Sequence, residues 1–332
     1  MVVALPATSW PCAAVREAEL GPRTTLKVGG RVEWLLEPAT PDELVAAVGA
    51  ARERGHEPRL LGGGANLLLA DGTLPGVVVA TERLARVFRP RADGGEGEEF
   101  QADLPSLRVL ERGEDARLVA WAGAPMPGLV RVARDLGWSG LEGLAGVPGH
   151  IGGGVAMNAG GRWGELWDVV ERVRLLTRAG EVVERTRAQC QPRYRDGNLD
   201  GALVLGAVLA LRVDERLAVK ERVADYLRQK SAAQPVTEHS CGCVFKNPPK
   251  EQSGGLGAGQ LIEQAGGKGL VRGDARVSEK HGNFIVNRGR ARAADVFALI
   301  REVRARVAER FGLELELEVK LWGAEEGPGL LP

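Results

Sequence analysis

The 332-residue sequence lacks any apolar run approaching the roughly 18–20 residues that a membrane-crossing helix needs, so no membrane span is expected. It lacks an excess of either charge: Lys plus Arg and Asp plus Glu number 44 each, and the two signs are interspersed. With no net field and no single-sign block, neither nucleic acid nor an anionic membrane is an expected partner. Cysteine is scarce, at four residues (Cys12, Cys190, Cys241, Cys243). That excludes a disulfide framework for so long a chain, and Cys241 and Cys243 stand too close together to staple distant elements. Met1 to Trp10 has neither a basic segment nor a long apolar stretch, so a secretory signal is not expected and a reducing cytoplasm is. No G-K-[ST] follows a glycine pair, which removes a Walker A nucleotide loop. No fixed-period repeat occurs, which removes solenoids and propellers.

What the chain does have is glycine, 46 residues. They cluster at Gly62–Gly64, Gly140–Gly164 and Gly254–Gly273, where they admit positive φ and close approach of backbone to a ligand. The length favours two or three domains, and an apolar fraction of 44% is enough to build real cores.

Along the chain, Thr40-Pro41-Asp42-Glu43 predicts a capped helix start, with Leu44, Val45, Val48 and Ala51 as its apolar face and Gly55 as its end. Arg59–Leu61, Leu67–Leu69 and Val77–Val79 read as strands. The charged stretch around Ala92–Glu99 reads as a solvated loop. A strand at Arg117–Ala122 and a helix at Pro127–Leu136 precede the long glycine-rich segment. Val169–Thr177 and Glu181–Thr186 form a hairpin about Ala179-Gly180, and Leu203–Val213 is a buried strand. Arg216–Lys230 is helical and bridges toward a further unit. Gln260–Ala265 reads as a short helix and Asn283–Asn287 as a strand. In Ala293–Phe311, Val296, Ile300, Val303, Val307 and Phe311 line one helical face up to Gly312. Leu313–Leu321 alternates apolar and charged residues, the pattern of a half-exposed strand. Mixed helices, strands and hairpins make the fold class α+β.

Gly62, Gly63, Gly64, Ala65 and Asn66 follow a strand, and successive N–H groups in such a loop can nest a pyrophosphate. A tight turn is the plainer alternative. Gly146, Val147, Pro148, Gly149, Gly152, Gly153, Asn158, Ala159 and Gly160 form a second segment stripped of side chains, suited to a flat ligand lying against backbone. Tyr194-Arg195-Asp196 offers a guanidinium fork for an anionic group, or else a surface ion pair between Arg195 and Asp196. His239-Ser240-Cys241-Gly242-Cys243 presents soft ligands, but with no C-x-x-C and no second Cys/His cluster a metal site is not expected. Lys246 and Asn247 follow Cys243, and Lys268, His281 and Asn283 are further polar candidates. Glu314, Glu316 and Glu318 alternate, and the residues alone do not single out one of them. His56 and His150 are assigned no role.

Taken in order, these motifs resemble the UDP-N-acetylenolpyruvoylglucosamine reductase (MurB) family. The matching residues are Arg23-Thr24-Thr25 with Gly29-Gly30, Leu61–Asn66, Gly140–Gly164, Tyr194-Arg195-Asp196, Gly242–Pro248, Gln260–Gly269, Val277–His281 with Asn283-Phe284, and Glu318-Val319-Lys320. The first half alone also fits the wider vanillyl-alcohol-oxidase type of flavin-binding protein. The resemblance implies a two-part FAD-binding region (residues 1–81 and 82–214) and a smaller α+β substrate domain (215–332) ending in a strand. It implies non-covalent FAD, NADPH as hydride donor and a UDP-sugar as substrate, in a cytoplasmic monomer serving peptidoglycan precursor synthesis. It places FAD against the two glycine segments. Tyr194, Lys246, Asn247, Lys268, His281 and Asn283 fall at the substrate.

In that family hydride reaches C3 of the enolpyruvyl group and a proton reaches C2. Arg195 matches the position that stabilises the charge at C2, and Glu318 the position that assists. Cys243 stands where the family commonly has a serine proton donor; a thiol, with an ordinary pKa of ~8.5, is protonated enough at neutral pH to serve. The only tyrosines are Tyr194 and Tyr226, and Tyr226 falls on a predicted helix, so the chain resembles the subgroup without a tyrosine loop over the substrate. The alternatives are another flavin oxidoreductase of the same superfamily and a non-catalytic module that binds flavin or a UDP-sugar.

Overall fold

A computed structural model describes residues 9–90 and 115–323. The expected solvated loop at Ala92–Glu99 lies outside them. The chain divides into two compact units interleaved in sequence. One comprises residues up to Arg16, Trp34–Gly63 and Gly76–Arg228; the other comprises Glu17–Glu33, Gly64–Pro75 and the chain from Gln229 onward.

In the first unit, α1 (Pro41–Glu53) starts as its sequence predicts, with the Glu43 N–H donating to Thr40 Oγ1 at 3.1 Å. The reciprocal bond is displaced by one residue: the Glu43 carboxylate accepts from the Ala39 N–H at 2.8 Å. Leu44, Ala47, Val48 and Ala51 are buried, whereas Val45 sits at the edge of the face. Arg59–Leu61 follows and pairs in parallel with the strand Thr73–Ala80, Leu61 lying opposite Ala80.

A five-stranded antiparallel sheet runs in the order Val182–Thr186, Val170–Leu176, Leu203–Ala210, Arg117–Trp121, Val87–Phe88. Its centre is buried on both faces. Leu118 and Ala120 join a core with α2 (Met126–Leu136) and α3 (Ile151–Ala156), while Val119 and Trp121 join the core under α1, as the two-residue side-chain period requires. The expected strand Leu203–Val213 breaks after Ala210. Its last two residues, Arg212 and Val213, are exposed and pair with Trp138–Ser139. The apolar run ends there, and with it the reason to stay in a doubly covered sheet. The short helix α4 (Arg187–Cys190) follows the hairpin, and α5 (Arg216–Ala233) carries the chain out of this unit.

In the second unit, an antiparallel sheet runs in the order His239–Cys243, Phe284–Asn287, Ala275–Val277, Val271–Arg272. It shares a core with α7 (Ala258–Gln264) and α8 (Ala293–Phe311); the single turn α6 (Lys250–Ser253) precedes α7. Val296, Ile300, Val303 and Val307 of α8 are buried on one stripe, and Gly312 ends the helix at φ +65°. The start of α8 is capped from far away in sequence, by the Asp71 carboxylate accepting from the N–H groups of Ala293 (3.1 Å) and Ala294 (3.2 Å).

The expected strand Leu313–Leu321 is corrected. Leu313, Leu315 and Val319 are buried and Glu314 and Glu316 exposed, but only Lys320–Trp322 forms a strand, in parallel with Leu67–Leu69. Side-chain alternation survives there because one side faces the core, while the ladder forms only where a partner strand is available. No helix among the described residues is long and apolar enough to cross a membrane.

Candidate active site

The glycines of the first wall are not equivalent. A Cβ on Gly63 would lie 2.8 Å from Gly149 Cα, and one on Gly64, at φ +59°, would lie 2.6 Å from Thr24 Cα. Both are demanded by close backbone packing. A Cβ on Gly62 would meet nothing nearer than His150 Cβ at 3.9 Å. The second wall sorts the same way. Gly152 backs onto Ala122 (3.1 Å) and Gly154 onto Met126 Sδ (2.8 Å), while a Cβ on Gly153 would meet no atom within 4 Å. Gly62 and Gly153 therefore leave open space on their Cβ side. Gly146 and Gly149 take φ of +70° and +108° around Val147-Pro148, turning the chain into α3.

His150, to which the sequence assigned nothing, stands between these walls. Its Cδ2 is 3.1 Å from where a Gly63 Cβ would be. Its Nδ1 is buried with no hydrogen-bond partner among the described residues. Burial lowers its pKa against the opposing Glu82 charge, so the imidazole is neutral at physiological pH. Two open glycine faces and an orphaned buried nitrogen between two turns suit a bulky polar cofactor such as FAD.

Not every residue of the two walls is available to a ligand. The Asn66 amide donates to the Glu318 carbonyl at 3.0 Å. Ala159 packs on the first unit's core. Asn158, buried at φ +46°, accepts from the Trp167 N–H (3.3 Å) and donates to Glu165 Oε2 (2.7 Å) and the Arg193 carbonyl (3.0 Å). The Gly160 carbonyl accepts from Arg195 Nη2 at 3.2 Å.

Arg195 settles one open alternative. The Asp196 carboxylate accepts from the Asn198 N–H at 2.7 Å, while Arg195 faces Gly160, Glu165 (4.0 Å) and the Tyr194 ring (4.8 Å to its centroid). Arg195 thus turns inward, and Tyr194 is half exposed.

In the second unit, Cys243 ends the strand His239–Cys243. Residues two apart in a strand normally share a face, yet Cys241 is fully buried and Cys243 partly exposed. The reason is a register shift between Ser240 and Cys243, with Gly242 at φ +79°. Such a bulge re-aims the side chain that follows it. Val244 then bonds to the chain carrying Glu318, the Glu318 N–H donating to the Val244 carbonyl at 2.8 Å. The backbones at Cys243 and Glu318 are thereby neighbours. Of the three alternating carboxylates, Glu314 and Glu316 are exposed and Glu318 is half-buried, so burial supplies the distinction that sequence alone did not.

Several expected substrate contacts have protein partners. Asn283 clamps Phe245, accepting from its N–H (2.9 Å) and donating to its carbonyl (2.7 Å). Asn247 Oδ1 accepts from the Ala258 N–H at 2.9 Å and caps α7. Lys246 pairs with Glu316, and Lys268 with Glu263 at 2.8 Å. His281 packs edge-on to Phe284, and its Nδ1 accepts from the Asn283 N–H at 3.2 Å. Burial, reinforced by the Lys268 charge, lowers its pKa, so it is a neutral imidazole with its proton on Nε2. No group of three or more metal-ligating side chains occurs among the described residues. Sequence reasoning missed the cross-chain struts Asn158–Glu165 and Thr25, whose hydroxyl donates to the Ser240 carbonyl at 2.6 Å. No periodicity or spacing announces such contacts.

Comparison with known proteins identifies the family of both parts of the chain. Residues 32–186 match the family model of the FAD binding domain, and residues 234–322 that of the UDP-N-acetylenolpyruvoylglucosamine reductase C-terminal domain. The UDP-N-acetylenolpyruvoylglucosamine reductase of Moorella thermoacetica is 38% identical over 305 residues, 92% of this chain and 91% of the relative. That of Deinococcus radiodurans is 39% identical over 319 residues, 95% of this chain and 98% of the relative. The crystal structure of the Thermus caldophilus enzyme superposes with a TM-score of 0.71 at 35% identity, covering 93% of this chain and 98% of that one. With such identity sustained over more than nine-tenths of its length, this chain belongs to the UDP-N-acetylenolpyruvoylglucosamine reductase family.

Proposed function

We propose that this chain reduces UDP-N-acetylenolpyruvoylglucosamine to UDP-N-acetylmuramate with NADPH, through non-covalent FAD. The supporting observation is the match to reductases through both the FAD-binding part and residues 234–322, which hold Cys243 and Glu318. FAD, when bound, would supply the redox chemistry, the carriage of hydride from NADPH to C3 of the enolpyruvyl group. The chain's own residues manage charge and proton. The Arg195 fork engages the substrate carboxylate, where negative charge collects as C2 becomes electron-rich, and Glu318 assists. The Cys243 thiol gives its proton to C2, so one hydride and one proton saturate the double bond. Such preorganised charge is usually the largest catalytic contribution.

Lys246 and Lys268, each part-exposed in an ion pair, exchange those carboxylates for anionic groups of the substrate. Tyr194, His281, Asn247 and Asn283 offer further substrate contacts, and Asn283 also clamps the backbone at Phe245, two residues after Cys243. Residues 1–81 and 82–214 serve FAD and 215–332 the UDP-sugar. The enzyme works as a cytoplasmic monomer, which sedimentation of the FAD-loaded protein checks.

The pure protein should be yellow, and acid precipitation should release all its flavin to the supernatant. Flavin that stays with the pellet rejects the non-covalent reading, and a colourless protein that FAD cannot reconstitute rejects the function. A finer test uses Gly153. Because its Cβ would meet no protein atom, Gly153→Ala in α3 should leave the flavin-free protein as stable as wild type, or more so by up to about 1 kcal/mol. FAD affinity should fall about tenfold or more if the cofactor lies against that face. Thermal unfolding without FAD and flavin titration read the two effects separately, and unchanged affinity removes Gly153 from the cofactor wall.

A further inference from the structure

We infer that Glu165 is a positioning residue for Arg195, acting with the Gly160 carbonyl to fix the plane of the guanidinium; this rests on the catalytic reading of Arg195 above. Arg195 is a non-glycine residue at φ +56°, in a turn closed by the Arg193 N–H to Asp196 carbonyl (2.7 Å) and Asp196 N–H to Arg193 carbonyl (3.1 Å) bonds. A left-handed conformation of this kind persists where the surroundings over-determine it.

Those surroundings belong to a short hairpin, Gly160–Gly161 paired with Gly164–Glu165. Gly160 and Glu165 stand directly opposite one another in it. The carbonyl that accepts from Arg195 Nη2 at 3.2 Å and the carboxylate 4.0 Å from Nη1 are thus cross-strand neighbours that move as one piece. The pairing is close: a Cβ on Gly160 would lie 2.5 Å from Glu165 Cα. At the hairpin's tip, Trp163 stacks on Tyr226 of α5 with centroids 5.2 Å apart and planes 15° from parallel.

Glu165 is oriented from behind. Asn158 Nδ2 donates to its Oε2 at 2.7 Å and also to the Arg193 carbonyl at 3.0 Å, which ties the carboxylate to the turn that carries Arg195. With Oε2 engaged there, Oε1 is the oxygen toward the guanidinium. At 4.0 Å it acts on Nη1 as a charge and not through a normal hydrogen bond. One accepting carbonyl on Nη2 and one fixed negative charge facing Nη1 restrict the plane of the fork more than the carbonyl alone does, and misplacement of such a group by about 1 Å can cost about a hundredfold in rate.

The test is single turnover of the FAD-loaded, full-length enzyme, reduced with NADPH and then mixed with the UDP-sugar. Glu165→Gln should slow the second step about tenfold, with less than about a threefold change in half-saturation by the sugar. Made in the Arg195→Lys background, it should change the rate by less than about twofold, because the residue it acts through is gone. A merely structural Glu165 would give the same factor in both backgrounds. That result, or a wild-type rate for the single variant, overturns the inference. If the Gln variant does not fold, Glu165→Asp, which keeps the charge but retracts it by one methylene, carries the same two comparisons. Wild-type enzyme whose reduced flavin the UDP-sugar does not reoxidise rejects the reductase reading itself, and this inference with it, so the two failures are told apart by which protein fails.

Discussion

Arg195→Lys should lower the rate of UDP-sugar reduction by about two to three orders of magnitude, the range for losing one preorganised donor to developing charge. The positive charge is conserved, so a purely Coulombic role predicts little change. What the substitution removes is geometry. The guanidinium lies over the Tyr194 ring, donates to the Gly160 carbonyl at 3.2 Å and stands 4.0 Å from Glu165. An ammonium on a flexible stem cannot satisfy a fixed carbonyl and present two parallel N–H groups to a carboxylate at once. Flavin reduction by NADPH should persist, because Arg195 is assigned to the substrate step. Stopped-flow absorbance separates the steps. A variant with near-normal reoxidation would return Arg195 to a structural role, holding its turn against the Gly160 hairpin.

Cys243→Ala should stall reoxidation by the UDP-sugar by about two orders of magnitude or more, within the usual range for general acid catalysis, while flavin reduction continues. Cys243→Ser should retain useful activity, since a hydroxyl at this place can donate a proton as well. The other thiols make a chemical version of the test selective. Burial raises the pKa of Cys241 to about 12 and that of Cys12 to about 11, and it raises that of the fully buried Cys190 as well. Three of the four thiols are therefore poor nucleophiles, since the thiolate is the reactive form. Alkylation near neutral pH should label Cys243 first, inactivate the enzyme, and be slowed by the UDP-sugar. Peptide mapping identifies the labelled residue. If Cys243→Ala is reoxidised at the wild-type rate, the proton comes from elsewhere, and Cys241, His281 or an ordered water is the next donor to test.

Much of the fold was legible in the sequence because local chemistry and burial agree there. α8 follows from its apolar stripe and Gly312, and α1 from Thr40 and the spacing of Leu44, Val48 and Ala51. The hairpin Val170–Leu176 with Val182–Thr186 follows from two β-rich runs about a glycine turn. Each decision is made by residues within one or two turns of each other, so it is written along the chain. Leu313–Leu321 marks the limit: its alternation correctly gave the buried side, but a strand needs a partner, and only Lys320–Trp322 has one in a ladder.

The sequence by itself marked the candidate residues, namely two glycine segments, an Arg after a Tyr, a Cys in the place of a Ser, and three alternating carboxylates. Only the tertiary structure decided how each of them is placed and what it touches. It separated Gly62 and Gly153, whose Cβ side is open, from Gly63, Gly64, Gly152 and Gly154, bare for packing. It turned Arg195 from Asp196 toward Gly160 and Glu165. It brought Cys243 out of register with Cys241 through the Gly242 bulge, and it left Glu318 half-buried where Glu314 and Glu316 are exposed. It also engaged Asn66, Asn158, Asn247 and Asn283 as struts. For the polar side chains the physical reason is that a hydrogen bond needs its partner within about 3 Å, and for Asn66, Arg195 and Asn283 that partner is supplied by chain 35 or more residues away, where no local pattern records it.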